Sequence, residues 1–307
     1  MSQHWAQQNE RGNAFFLNLT RLIVRYSPLF FVRLATLVVV SYFFLMEKNK
    51  RKNIRTYQQR LQQTFPSLRL PKLALFRQFL AFGESIADRF AVWQNKIQYK
   101  DLLVDDADQL FQDMNPNARG QILLCSHFGN IEVCRAVLNR QDDVTFRLNV
   151  LMHNQHSKVF NQALQKAGAH TIEVIQVAEL DVQKMLELNQ RLERGEWIAI
   201  AADRVPVRGD KTALVDFLGA PAHFPQGAWL LASLLKAPLN TIFCIKENGR
   251  YRFKLRRFSA PITGGKQRQT QIQQAMQRYA DLLAQECRQN PLLWFNFYDF
   301  WAQPDEN

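Results

Sequence analysis

From residue 97 onward, short apolar runs alternate with stretches patterned for helices, and this alternation restricts the chain more than any other feature. The apolar runs fall at 98–104, 121–125, 146–152, 171–177, 197–202 and 213–218. Helical patterns lie between them at 106–114, 130–140, 156–167 and 181–194, and another follows at 225–236. Short strands alternating with helices predict a mainly parallel sheet covered on both faces. Leu239–Lys246 and Tyr251–Phe258 then flank Glu247-Asn248-Gly249-Arg250, and the Asn-Gly pair marks a hairpin that makes the sheet mixed. A last helix spans 268–289 and leads into the aromatic run from Pro291 to Trp301. The fold class expected is α/β, a mainly parallel mixed sheet flanked by helices, occupying residues 66–307.

Residues 1–65 read differently, as membrane-associated helices. Phe15 to Arg25 alternate apolar and basic residues, as in a helix lying on a membrane. Pro28 to Met46 is mostly apolar and about as long as a bilayer span, although it contains Arg33. Lys48, Lys50, Arg51, Lys52 and Arg55 follow it, while Arg11, Arg21 and Arg25 precede it. With basic residues on both flanks, a shallow insertion and a single span both fit, and the positive-inside rule chooses neither orientation. Leu73 to Gln94 is an amphipathic helix whose apolar stripe suits a core. The net charge of +12 calls for an acidic partner. The basic residues cluster just after the apolar segment, where anionic headgroups lie, rather than on a basic face interleaved with aromatics. A non-enzymatic basic protein binding membrane or nucleic acid is the alternative; no nucleic-acid partner is expected. Cys125, Cys134, Cys244 and Cys287 sit singly in apolar runs, which suits reduced core thiols, and no metal-ligand spacing appears.

The strand expected at 121–125 runs straight into Ser126-His127-Phe128-Gly129-Asn130-Ile131-Glu132. A histidine leaves the strand end, a glycine turns the chain and a carboxylate opens the next helix. A carboxylate bonded to one ring nitrogen fixes the tautomer and leaves the other nitrogen a base near neutral pH. His127 and Glu132 are therefore the candidate catalytic pair, with backbone N–H groups near Gly129 as candidate oxyanion donors. Ligands of an open α/β sheet collect beyond the carboxyl ends of its strands. Two other strand ends carry polar residues, His153 and Asn154 after one, Asp203 and Arg204 after another. The segment 217–228, with Gly219, is a turn-rich loop opening a helix. The chain has no G-x-S-x-G elbow, no Walker loop and no G-x-G-x-x-G.

Taken in order, several segments resemble the lipid A late acyltransferase family of the lysophospholipid and glycerol-phosphate acyltransferase superfamily. They are His127-Phe128-Gly129-Asn130-Ile131-Glu132, Gly195 to Arg204, and Phe217-Leu218-Gly219 with Pro225-Gln226-Gly227-Ala228. The tail departs from that family's Trp-x-His-basic-basic ending, and Met152-His153-Asn154 stands where a Tyr-Arg-Pro-like segment is usual. The chain is thus similar to a divergent subgroup, the acyltransferases of aryl-polyene and related outer-membrane lipid pathways. The resemblance implies His127 as base and Glu132 as its orienting acid. Gly129, Asn130, His153, Asn154, Asp203, Arg204 and Gly219 would bind substrate. It also implies acyl transfer from acyl carrier protein or acyl-CoA to a lipid hydroxyl at the cytoplasmic face of the inner membrane, with no cofactor and no metal.

Overall fold

The computed structural model describes residues 29–94, 96–134, 147–152, 172–177, 180–205 and 211–302, with backbone alone for Leu29, Phe30, Phe90, Trp93, Glu132 and Ile172. Three helices open it, α1 (Leu29–Met46), α2 (Lys48–Thr64) and α3 (Ala74–Trp93). Strand β1 (Leu102–Asp105), the short α4 (Leu110–Asp113), β2 (Ile122–Cys125), β3 (Leu148–Met152) and β4 (Ile172–Gln176) follow. Then come α5 (Val182–Glu193), β5 (Trp197–Ala201), β6 (Thr212–Asp216), β7 (Pro221–Pro225) and α6 (Gly227–Leu235). The chain continues with β8 (Leu239–Glu247), β9 (Arg250–Ser259) and α7 (Arg268–Gln289).

Seven strands form one sheet in the order β1-β9-β8-β2-β5-β3-β4, parallel throughout except for the β8–β9 hairpin. The α/β expectation is met, and the central strands explain why they read as continuous apolar runs. Ile122 and Leu124 of β2 and Ile198 and Ile200 of β5 enter one core cluster, with Trp229 and Tyr279. Leu123, Trp197 and Ala199 enter a second cluster on the opposite face. Both faces are buried, so no polar alternation survives.

Three local expectations change. The run at 98–104 begins as a 3-10 turn, Tyr99–Asp101, before β1 starts. The segment 217–228 contains a strand, because β7 pairs antiparallel with β6 as a separate two-stranded ribbon. Of the helix expected at 130–140 only 130–134 are described, with a 3-10 turn at Ile131–Val133. The helix expected at 156–167 and the amphipathic segment at 15–25 lie outside the described residues.

Helix α1 packs on α3 so closely that a Cβ on Gly83 would stand 2.4 Å from Val40 Cγ2. Among the described residues no helix is long and apolar enough to cross a membrane. The 18 residues of α1 rise about 27 Å, just short of a hydrocarbon core of about 30 Å. Helix α2 joins the main core, with Tyr57 and Leu61 in the same cluster as β2, β5 and Trp294.

Candidate active site

The site begins with a register. The last paired residues of β2 and β5 are Cys125 and Ala201, and Ala202 N–H still donates to Cys125 O at 3.0 Å. Two residues beyond that pair, one on each strand end, come His127 and Asp203. Adjacent parallel strands in this register bring the two side chains together at the carboxyl edge of the sheet. His127 Nδ1 lies 2.8 Å from Asp203 Oδ1, and the His127 backbone N–H donates to Asp203 Oδ2 at 2.9 Å.

A carboxylate only accepts, so the proton of this bond sits on Nδ1 and Nε2 is left as the base. Asp203 is fully buried. Burial works to raise its carboxyl, but the His127 imidazole, its hydrogen bonds and the Arg204 charge overcome that and hold it below the usual carboxylate range. The His127 side chain is packed in on most sides yet keeps 35% of its surface open to solvent. Desolvation pushes its pKa down, the Arg204 and Arg89 charges push the same way, and Asp203 only partly offsets them. The imidazole is therefore neutral, and able to accept a proton, down to below its ordinary range.

The sequence pairs His127 with Glu132; in the structure Nδ1 is taken by Asp203 instead. The side chain of Glu132 lies outside the described residues, as do His153 and Asn154. Gly129 shapes the turn. Its φ is +70°, and a Cβ there would stand 2.0 Å from Cys244 O, so no other residue fits without moving β8. The expectation that N–H groups near Gly129 meet an oxyanion is corrected, because those donors are engaged. Gly129 N–H donates to Leu293 O and Asn130 N–H to Cys244 O, each at 2.8 Å. The Asn130 amide is buried and bonds Ser85 O at 3.0 Å and Tyr251 Oη at 3.3 Å, which pins the turn to α3 and β9. Gly219 belongs to the β6–β7 turn, with φ +71° and its N–H on Asp216 Oδ1 at 3.1 Å.

The tail supplies residues that the sequence reading left outside the site. Phe128 and Trp294 form an antiparallel bridge, and Phe295 N–H donates to His127 O at 2.8 Å. Residues 293–296 thus run as an extended segment beside the histidine turn. Alternate side chains then face opposite ways. Trp294 Nε1 and Asn296 Nδ2 reach Asp203 Oδ2 at 3.2 and 3.4 Å, while Phe295 and Phe297 pack against Phe82 of α3. Asn296 and Asp299 are the two polar residues in this aromatic run, each two positions from a tryptophan, and that interruption was the available signal. Arg204 locks this segment: Nε donates to Asn296 Oδ1 and one Nη to Phe295 O, both at 2.7 Å, with Tyr298 under the guanidinium at 5.9 Å. Two of its donors therefore hold protein rather than facing a ligand.

No thiol nucleophile competes with the histidine here. Burial, then the nearby Asp203 charge, pushes the Cys125 thiol up to about 12, so it stays protonated. Among the described residues no group of three or more His, Cys, Asp or Glu could hold a metal ion.

A mostly parallel sheet thus carries at its edge a buried carboxylate and a histidine oriented by it, whose Nε2 is left able to accept a proton. Residues 10–303 match the family model described as bacterial lipid A biosynthesis acyltransferase, and the chain belongs to that family of lipid acyltransferases. No curated protein matches the chain.

Two outcomes follow from this geometry. Asp203→Asn removes the charge that supports the imidazole, so the His127 pKa falls further still, as NMR titration of the ring will read. Arg204→Lys loses the fork that grips the tail. It costs on the order of 2 kcal/mol and roughly 3 °C in Tm by calorimetry; an unchanged Tm would show that the fork contributes nothing.

Proposed function

We propose that the protein is a membrane-associated O-acyltransferase that moves an acyl chain from a thioester, carried by acyl carrier protein or coenzyme A, to a hydroxyl of a lipid or glycolipid. The observation that carries this reading is the His127–Asp203 bond, which leaves Nε2 as a neutral base. Nε2 takes the proton of the acceptor hydroxyl. The oxygen attacks the thioester carbonyl carbon, giving a tetrahedral oxyanion. The C–O bond is kept, the C–S bond breaks, and the leaving thiolate takes the proton back from the imidazolium. No acyl-enzyme is needed. Glu132, the acid of the motif that His127 opens, is kept in this proposal as the second catalytic residue. An acidic carrier protein suits a chain of net charge +12. The acceptor is an outer-membrane lipid that need not be lipid A itself, given the aromatic tail.

Attachment to the cytoplasmic face of the inner membrane is supported by α1. Its inner face buries Val32 and Val40, while Phe31, Val38, Tyr42 and Leu45 are each more than half exposed. These four, with Leu34, recur every three to four residues and form one apolar stripe, too large a patch for ordinary solvent exposure. At its end Arg51 caps the helix by donating to Leu45 O at 2.8 Å, and Lys48, Lys50, Lys52 and Arg55 follow. Cations beside an apolar stripe suit anionic headgroups, at about 1 kcal/mol each.

His127→Ala should abolish acyl transfer with little change in Tm, and retained transfer would end the reading. In the wild type the acid limb of the pH–rate profile should lie below pH 6.5, because the imidazole's pKa is lowered. Acid should also destabilise the fold. The unfolded histidine takes up its proton before the folded one does, and the depressed Asp203 carboxyl loses its stabilising charge as pH falls through its folded pKa. Vesicle flotation tests the attachment separately. Full-length protein should float with phosphatidylglycerol vesicles, and the Leu34→Glu/Val38→Glu/Leu45→Glu variant should not; a wild type that stays unbound would refute it.

A further inference from the structure

Helix α3 crosses the histidine turn, and its residues there are nearly all spoken for. Ser85 O holds the Asn130 amide at 3.0 Å. Asp88 accepts from Tyr251 Oη and Lys246 Nζ, both at 2.6 Å. Arg89 follows, four residues past Ser85, and so lies one turn further along the same face. Its Nε is buried and meets no acceptor among the described residues. A buried guanidinium donor with no partner is costly, and a protein that keeps one beside a base has a use for it once substrate brings the acceptor. The neighbouring donors are already committed: the Gly129 and Asn130 N–H groups to Leu293 and Cys244, Arg204 Nε to Asn296 and one of its Nη to Phe295. The Arg89 charge reaches the His127 ring, where it disfavours the imidazolium.

We infer that Arg89 donates to the thioester carbonyl oxygen as it becomes the oxyanion, a role that rests on the acyl-transfer reading above. The acceptor hydroxyl bonds to Nε2 at about 3 Å, and the attacked carbon lies about 3 Å further on. The new negative charge therefore forms within about 6 Å of the imidazole, and Arg89, one turn past the Ser85 carbonyl that holds Asn130, is a cation that α3 brings to this turn. The electron pair of the C=O π bond moves onto oxygen as the acceptor's C–O bond forms, and returns when the C–S bond breaks. A cation fixed in a partly dry site stabilises that charge without reorganising. The donor's own phosphate is a poorer candidate, because the length of the pantetheine arm separates it from the reacting carbon.

The test uses full-length protein in mixed micelles, palmitoyl-CoA as donor and a bacterial lipid extract as source of hydroxyls, with release of the coenzyme A thiol as readout. Arg89→Gln should lower kcat about 100- to 1,000-fold, with KM for palmitoyl-CoA within twofold and Tm unchanged. Arg89→Lys should recover part of kcat, and the His127 ring should titrate higher in Arg89→Gln by NMR. An unchanged kcat in Arg89→Gln overturns the inference alone. So does a rise in KM for the lipid with kcat intact, which would place Arg89 on an acceptor phosphate. If Arg89→Gln does not fold, a full wild-type rate in a folded Arg89→Lys beside an unshifted His127 titration overturns it as well. No thiol release by the wild type would remove the acyl-transfer reading, and this inference with it.

Discussion

The geometry of the His127–Asp203 pair depends on the register of β2 against β5. These strands are buried on both faces, Ile122 and Leu124 against one cluster and Leu123 against the other. A slip of one residue would exchange the two faces of β2, setting side chains sized for one cluster into the other. Burying such a side chain is worth about 1.5–3 kcal/mol, so the core fixes the register strongly. Because Cys125 and Ala201 are opposite each other, His127 and Asp203 must emerge side by side. The dyad is thus a consequence of the core, and no loop has to find its place for the bond to form.

Around this frame, three separate elements restrain the histidine. Asp203 holds the ring, the tail holds the backbone through Phe295 N–H, and α3 holds the turn through Asn130. The tail is itself held by Arg204 and by the stacking of Phe297 on Phe79. This division of labour matters electrostatically. Four hydrogen bonds converge on the buried carboxylate of Asp203, which keeps it ionised where an isolated charge would be neutralised. The charges of Arg204 and Arg89 also bear on the imidazole and disfavour its protonation. On the proposed reading, negative charge developing beside such a base favours its protonation, which couples deprotonation of the hydroxyl to attack.

Much of this was legible in the sequence, and the reasons are physical. Strands buried on both faces announce themselves as apolar runs, and residues just past their ends can be named as ligand-facing, which singled out both His127 and Asp203. Their pairing was not legible, because strand order is a long-range property. Nothing local says that the strand starting at Trp197 inserts between β2 and β3. Local spacing favoured Glu132, the nearest carboxylate in the chain. Gly129 was read correctly as a turn, but its N–H was offered to substrate when β8 and the tail, more than 100 residues away, use the turn's donors. The β7 strand was hidden by Pro221 and Pro225, which mark a loop in most contexts and are tolerated here because β7 pairs on one edge only. The role of Asn296 was masked by its aromatic neighbours, which hid a two-residue alternation.

The same contacts bear on how, on the proposed reading, the base meets a lipid. The exposed stripe of α1 lies on the helix whose other face packs on α3, tightly enough that Gly83 has no room for a methyl group. Helix α3 in turn carries Asn130 through Ser85 and the tail through Phe79 and Phe82. The apolar stripe is thus connected to the histidine turn through α3, by packing at Gly83 and a hydrogen bond at Ser85. On the proposed reading, a membrane that receives the stripe also sets the depth and tilt of the base relative to the lipid surface. The acceptor hydroxyl is then presented at a fixed height, and the ordering entropy of that encounter is met by the N-terminal helices rather than by contacts at the reacting carbon. On that reading a small catalytic surface, one histidine, one carboxylate and the cations beside them, suffices because the surrounding fold positions both substrates before any bond changes.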